Sequence, residues 1–125
     1  MDSSSVSTLW LRGSLVWLLA AMGIGLYLGI TQQFHFSSAH AHAGLLGGVW
    51  AGLLSYGYWR AGGDKPVAGA GIAWLLFNIS VAFHVFALFK VMAGNPAWGM
   101  ILGVNGMAMT AITLWIVTPI WRRLV

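Results

Sequence analysis

Long apolar runs alternate with short polar breaks along this chain, and the breaks set its organisation. The runs cover about 9–30, 39–59, 67–92 and 97–120. Each carries the ~20 residues needed to cross ~30 Å of hydrocarbon. Between the first two lies a polar loop, Thr31-Gln32-Gln33-Phe34-His35-Phe36-Ser37-Ser38. Ser37 or Ser38 is placed to cap the second helix. Ala61-Gly62-Gly63-Asp64-Lys65-Pro66 reads as a turn, with Pro66 suited to the first turn of the third helix. Ala93-Gly94-Asn95-Pro96 reads as the last turn. Residues 1–8 read as a short, mobile polar leader. The first run is too long for the apolar region of a signal peptide, so a retained helix is expected. The pattern predicts an all-α polytopic membrane protein, a single domain over 1–125 with four transmembrane helices.

Composition strengthens that reading. Of the 125 residues 59% are hydrophobic and 6% charged, where soluble domains carry about 25% charged residues. Mean hydropathy is +0.82. The net charge of +4 comes from basic residues scattered over four spans, which build no basic face for nucleic acid. The basic residues report topology instead. Arg12, Arg60, Lys65, Arg122 and Arg123 fall on one side and Lys90 near the other. The positive-inside rule then puts both termini in the cytoplasm, in a bacterial inner membrane. Cysteine is absent, which excludes disulfides, thiolate metal sites, iron–sulfur clusters and haem attached through Cys-x-x-Cys-His.

The candidate chemistry is histidine. Ser37-Ser38-Ala39-His40-Ala41-His42-Ala43-Gly44-Leu45-Leu46-Gly47-Gly48 opens the second span, and ionisable groups at membrane depth are functional candidates by default. Positions i and i+2 lie ~200° apart around a helix. His40 and His42 therefore point to opposite sides, towards two different partners. His84 lies near the end of the third span, at matching depth in the periplasmic half. His35, in the loop, reads as a surface residue. Polar contact with interfacial water is the plainer reading of one such histidine; two in one turn with a third at their depth point to ligands. Neutral imidazole ligates iron, copper and zinc. Gly44, Gly48 and Gly52 recur at spacing four, as do Gly25 with Gly29 and Gly99 with Gly103. Such spacing lets helices approach closely or makes room for a flat cofactor. Trp50, Phe77, Phe83 and Phe86 are candidate walls; Trp10, Trp59 and Trp121 read as interface anchors. Ser80, at i−4, shares a face with His84, and Asn105 reads as interhelical glue.

At Ala39-His40-Ala41-His42-Ala43-Gly44-Leu45-Leu46-Gly47 the chain resembles the catalytic subunit of the haem-copper oxidases and nitric oxide reductases, and small four-helix proteins related to it. In that family one helix carries two histidines, two residues apart, that ligate different haems. The subunit consists of three similar four-helix units, so the resemblance implies a homotrimer. His40 of one protomer and His42 of its neighbour would sandwich one haem b. His84 falls on the helix that carries adjacent copper-binding histidines in the family's middle unit. Here its neighbours are Phe83 and Val85, the tyrosine-bearing copper motif is missing, and no acidic residue lies inside a span.

The expectation is a membrane-embedded b-type haem protein, for electron transfer with a redox partner or for redox or gas sensing. His40 and His42 are its expected axial ligands, Gly44 and Gly48 line its haem, and His84 is a further metal ligand. The alternative is a copper- or zinc-binding membrane protein using the same histidines, or an accessory subunit of an oxidase.

Overall fold

The computed structural model describes residues 1–62 and 66–125. Gly63, Asp64 and Lys65, the centre of the expected second turn, lie outside the described residues. The described chain is helical throughout: α1 (Ser3–Thr31), a 3₁₀ turn (Phe34–Phe36), α2 (Ser37–His42), a π-helical segment (Ala43–Trp50), α3 (Ala51–Ala61), α4 (Ala70–Met92) and α5 (Trp98–Leu124). Three helices, α1, α4 and α5, are long and apolar enough to cross a membrane.

Helix α1 starts earlier than the apolar pattern predicts, because Asp2 caps it. Its carboxylate accepts a hydrogen bond from the Ser5 backbone N–H at 2.7 Å, satisfying one of the donors that a helix start leaves without a partner. The polar leader is therefore helix from Ser3 onward. Val6 and Trp10 are fully buried, so Trp10 is a core residue and not the expected interface anchor. Its ring meets Phe77 edge-on at 5.1 Å. Trp59 and Trp121 stay 65% and 67% exposed.

The Ser5 hydrogen bond holds the Asp2 carboxyl below its ordinary pKa. A depressed folded-state pKa contributes stability above the unfolded value, and that contribution is lost as pH falls through the folded one. Faster exchange of the Ser5 amide at acidic pH, relative to neighbouring helical amides, is the expected result. An Asp2→Ala variant should show no such added step.

Segments α2, π and α3 follow one another without a break, since the junction residues Ala43, Trp50 and Ala51 all keep right-handed helical angles. The expected serine cap is absent: Phe36 occupies the cap position and makes no side-chain cap bond. Pro66 precedes α4 instead of lying in its first turn, which begins at Ala70. Helix α5 runs through Trp121, Arg122 and Arg123 to Leu124.

Small residues seat the 37–61 rod on α1. A Cβ placed on Gly47 would lie 2.3 Å from the Trp17 ring, one on Gly48 2.5 Å from Leu18, and one on Gly52 3.1 Å from the Ser14 hydroxyl. Ser14 donates to the Gly48 carbonyl at 2.8 Å, and Ser7 and Ser55 hydrogen-bond lower on the same interface. The Trp17 indole N–H donates to Asn78 Oδ1 at 2.8 Å, tying α1 to α4. At one end of the molecule Arg123 donates to the Ser3 hydroxyl at 2.7 Å, bringing the two termini together. The histidines of α2 and α4 lie towards the other end.

Candidate functional site

The i, i+2 spacing separates the two α2 histidines as helix geometry requires. His40 turns to α1, where its Nδ1 lies 2.7 Å from the Ala21 carbonyl oxygen. Its ring rests on Gly25, where an added Cβ would be 2.8 Å from Cε1. His42 turns the other way, to α4. Its Nδ1 lies 2.8 Å from the Ser38 carbonyl, and its ring stands 5.3 Å from that of His84, tilted by 34°. His40 and His42 thus serve different surroundings, and His42 and His84 share one.

A carbonyl oxygen only accepts, so in both α2 histidines the hydrogen is on Nδ1. In the neutral ring this leaves the lone pair on Nε2. Metal-ligating histidines are commonly held this way, with the second nitrogen donating to a backbone carbonyl. The acceptors come from two sources: Ser38, at i−4 on the same helix, for His42, and Ala21 on the packed face of α1 for His40.

His84 differs. Asn105 on α5 accepts from the Ser80 hydroxyl at 2.9 Å and donates to the Ser80 carbonyl at 3.0 Å. Its Nδ2 also lies 3.5 Å from His84 Nδ1. Asn105 joins α4 to α5, and it does so beside a candidate site residue.

His42 and His84 open onto a cavity of about 500 Å³ whose wall also includes Trp50, Phe77, Met109 and Thr110. Of the four aromatics singled out in the sequence, Trp50 and Phe77 line this cavity. Phe83 and Phe86 instead contact Trp98, with centroids 6.2 and 5.4 Å away. Gly44 and Gly48 face α1 and not this cavity: added Cβ atoms would meet Ala21 at 3.4 Å and Leu18 at 2.5 Å. Their smallness serves helix approach within the protomer. His35 is exposed and stacks on Phe36 at 4.0 Å.

Met109 had no signal in the sequence. Nothing in a periodic apolar span marks which methionine reaches the histidine-lined cavity. Among the described residues no group of three or more His, Cys, Asp or Glu side chains is placed to hold a metal ion. No protein-family model, curated protein or solved structure matches the chain.

Proposed function

We propose that this is a membrane-embedded b-type haem protein that carries electrons, with His40 and His42 as its axial ligands. One observation carries the reading: both histidines have Nδ1 bound to a backbone carbonyl, which leaves Nε2 ready to ligate. Bound there, haem supplies a one-electron iron couple whose potential the axial imidazoles and the apolar surroundings tune. The two histidines face different helices, so one haem held by both takes a second copy of the chain, and a homotrimer closes such a head-to-tail arrangement. The 37–61 rod is the fourth span. The positive-inside rule, applied to Arg12, Arg60, Lys65, Arg122 and Arg123, supports cytoplasmic termini with the histidines in the outer half of the membrane.

An absorption spectrum of protein purified in mild detergent from haem-supplied cells tests this. A sharp α-band and a Soret shift on reduction are expected. A featureless spectrum in both oxidation states overturns the reading.

A second reading, a copper-binding membrane protein, is favoured by the His42–His84 spacing. Two imidazoles on one tetrahedral ion, each nitrogen ~2.0–2.1 Å away, have centroids about 5 Å apart, against about 6.4 Å for a collinear pair. The observed 5.3 Å suits the small ion, and Met109 on the cavity wall adds a thioether of the kind that copper(I) accepts. Stoichiometric copper that His84→Ala removes would establish this reading in place of haem.

A further inference from the structure

The amide of Asn105 has a fixed direction. The Ser80 carbonyl accepts at 3.0 Å from Nδ2, and a carbonyl accepts only from a donor, so the nitrogen end must lie there. The Ser80 hydroxyl donates to Oδ1 at 2.9 Å and holds the other end. One N–H of the amide is spent on Ser80, and the second is left for His84 Nδ1, 3.5 Å away. At the outer edge of hydrogen-bond reach, that N–H favours a lone pair on Nδ1. The neutral His84 ring then carries its hydrogen on Nε2, the reverse of His40 and His42.

We infer that His84 enters the cavity as a hydrogen-bond donor, not as a metal ligand, and that Asn105, clamped by Ser80, is the positioning residue that makes it so. Ligation through Nε2 would move the hydrogen to Nδ1 and set it against the amide N–H, while Nδ1 itself faces Asn105. Side by side at 5.3 Å, His42 offers a lone pair and His84 an N–H. A haem held at His42 would then have the His84 N–H beside it, free to donate to an acceptor on that group. In this form the inference rests on the haem reading, and it sets His84 apart from the copper reading.

The tautomers are measurable without any cofactor. In ¹⁵N-histidine-labelled protein in detergent, two-bond ¹⁵N–¹H correlation spectra should show His84 as Nε2–H and His40 and His42 as Nδ1–H. An Nδ1–H signal for His84 overturns the inference. Asn105→Asp supplies an acceptor in place of the amide N–H, frees Nε2, and should tighten zinc(II) binding to the haem-free protein by about tenfold, the low end of what outer-shell partners contribute. Equal affinity in the variant and the parent also overturns it. A missing haem spectrum removes the haem reading and leaves these tautomers untouched, so the two failures are told apart.

Discussion

His42→Ala is expected to remove nearly all haem from protein purified out of haem-supplied cells. Soret absorbance per protein should fall by more than about tenfold, since outer-shell substitutions alone cost 10–100-fold in metal affinity. The side chain does two jobs that alanine cannot. In the haem reading its Nε2 offers the ligating lone pair, and its Nδ1–H, bound to the Ser38 carbonyl at 2.8 Å, keeps the ring in that tautomer and orientation. His40→Ala should match this loss, because its ring is held to Ala21 at 2.7 Å in the same tautomer. His84→Ala, by contrast, should keep its haem. Full retention by both α2 variants contradicts haem ligation by this pair. Loss in His42→Ala with retention in His40→Ala would leave a ligand inside the cavity and remove the cross-protomer sandwich. The ratio of Soret to protein absorbance in matched preparations decides among these.

Gly47→Ala should be the most destabilising single-methyl change in the second rod, by about 2–3 kcal/mol, the upper part of the range for overpacking. The new Cβ would lie 2.3 to 2.8 Å from three Trp17 atoms, including its own Cβ. Trp17 cannot simply turn aside, because its indole is hydrogen-bonded to Asn78 at 2.8 Å. Relief at Gly47 therefore costs the α1–α4 tie as well as the packing. Gly48→Ala meets Leu18 at Cδ2, 2.5 Å, and at Cγ, 2.8 Å, in a flexible aliphatic side chain able to change rotamer. The ~1 kcal/mol helix-propensity gain of alanine over glycine offsets much of that strain. Gly103, with nothing within 4 Å of an added Cβ, should accept alanine with a gain of similar size. Denaturant unfolding in detergent, followed by tryptophan fluorescence, should rank Gly47→Ala least stable and Gly103→Ala most stable. Equal midpoints for the first two would contradict the assigned interface.

Much of the architecture was legible because lipid leaves the backbone few options. Without water to pair N–H and C=O groups, each apolar run must be helix, so the runs predict the helices and differ from them mainly at their ends. The ends follow local detail that hydropathy does not register. Asp2 extends α1 to Ser3. Phe36, not a serine, stands at the start of α2. Trp10 shows a related limit: an indole near a helix end suits an interface equally well, and only packing against Phe77 decides that it is core.

The candidate site divides in the same way. That His40 and His42 point apart follows from 3.6 residues per turn, and the sequence alone determines it. So does the apolar character of the spans, since composition permits no water-soluble surface. Which helix each histidine meets depends on how the rods pack. Only tertiary structure decides that His40 lies on Ala21 and Gly25, that His42 shares a cavity with His84 and Met109, and that Asn105 stands between Ser80 and His84. Periodicity says which residues share a face of one helix. It carries nothing about the rotation and depth at which two faces meet, and the proton positions of His40 and His84 depend on that meeting, whereas His42 finds its acceptor, Ser38, on its own helix.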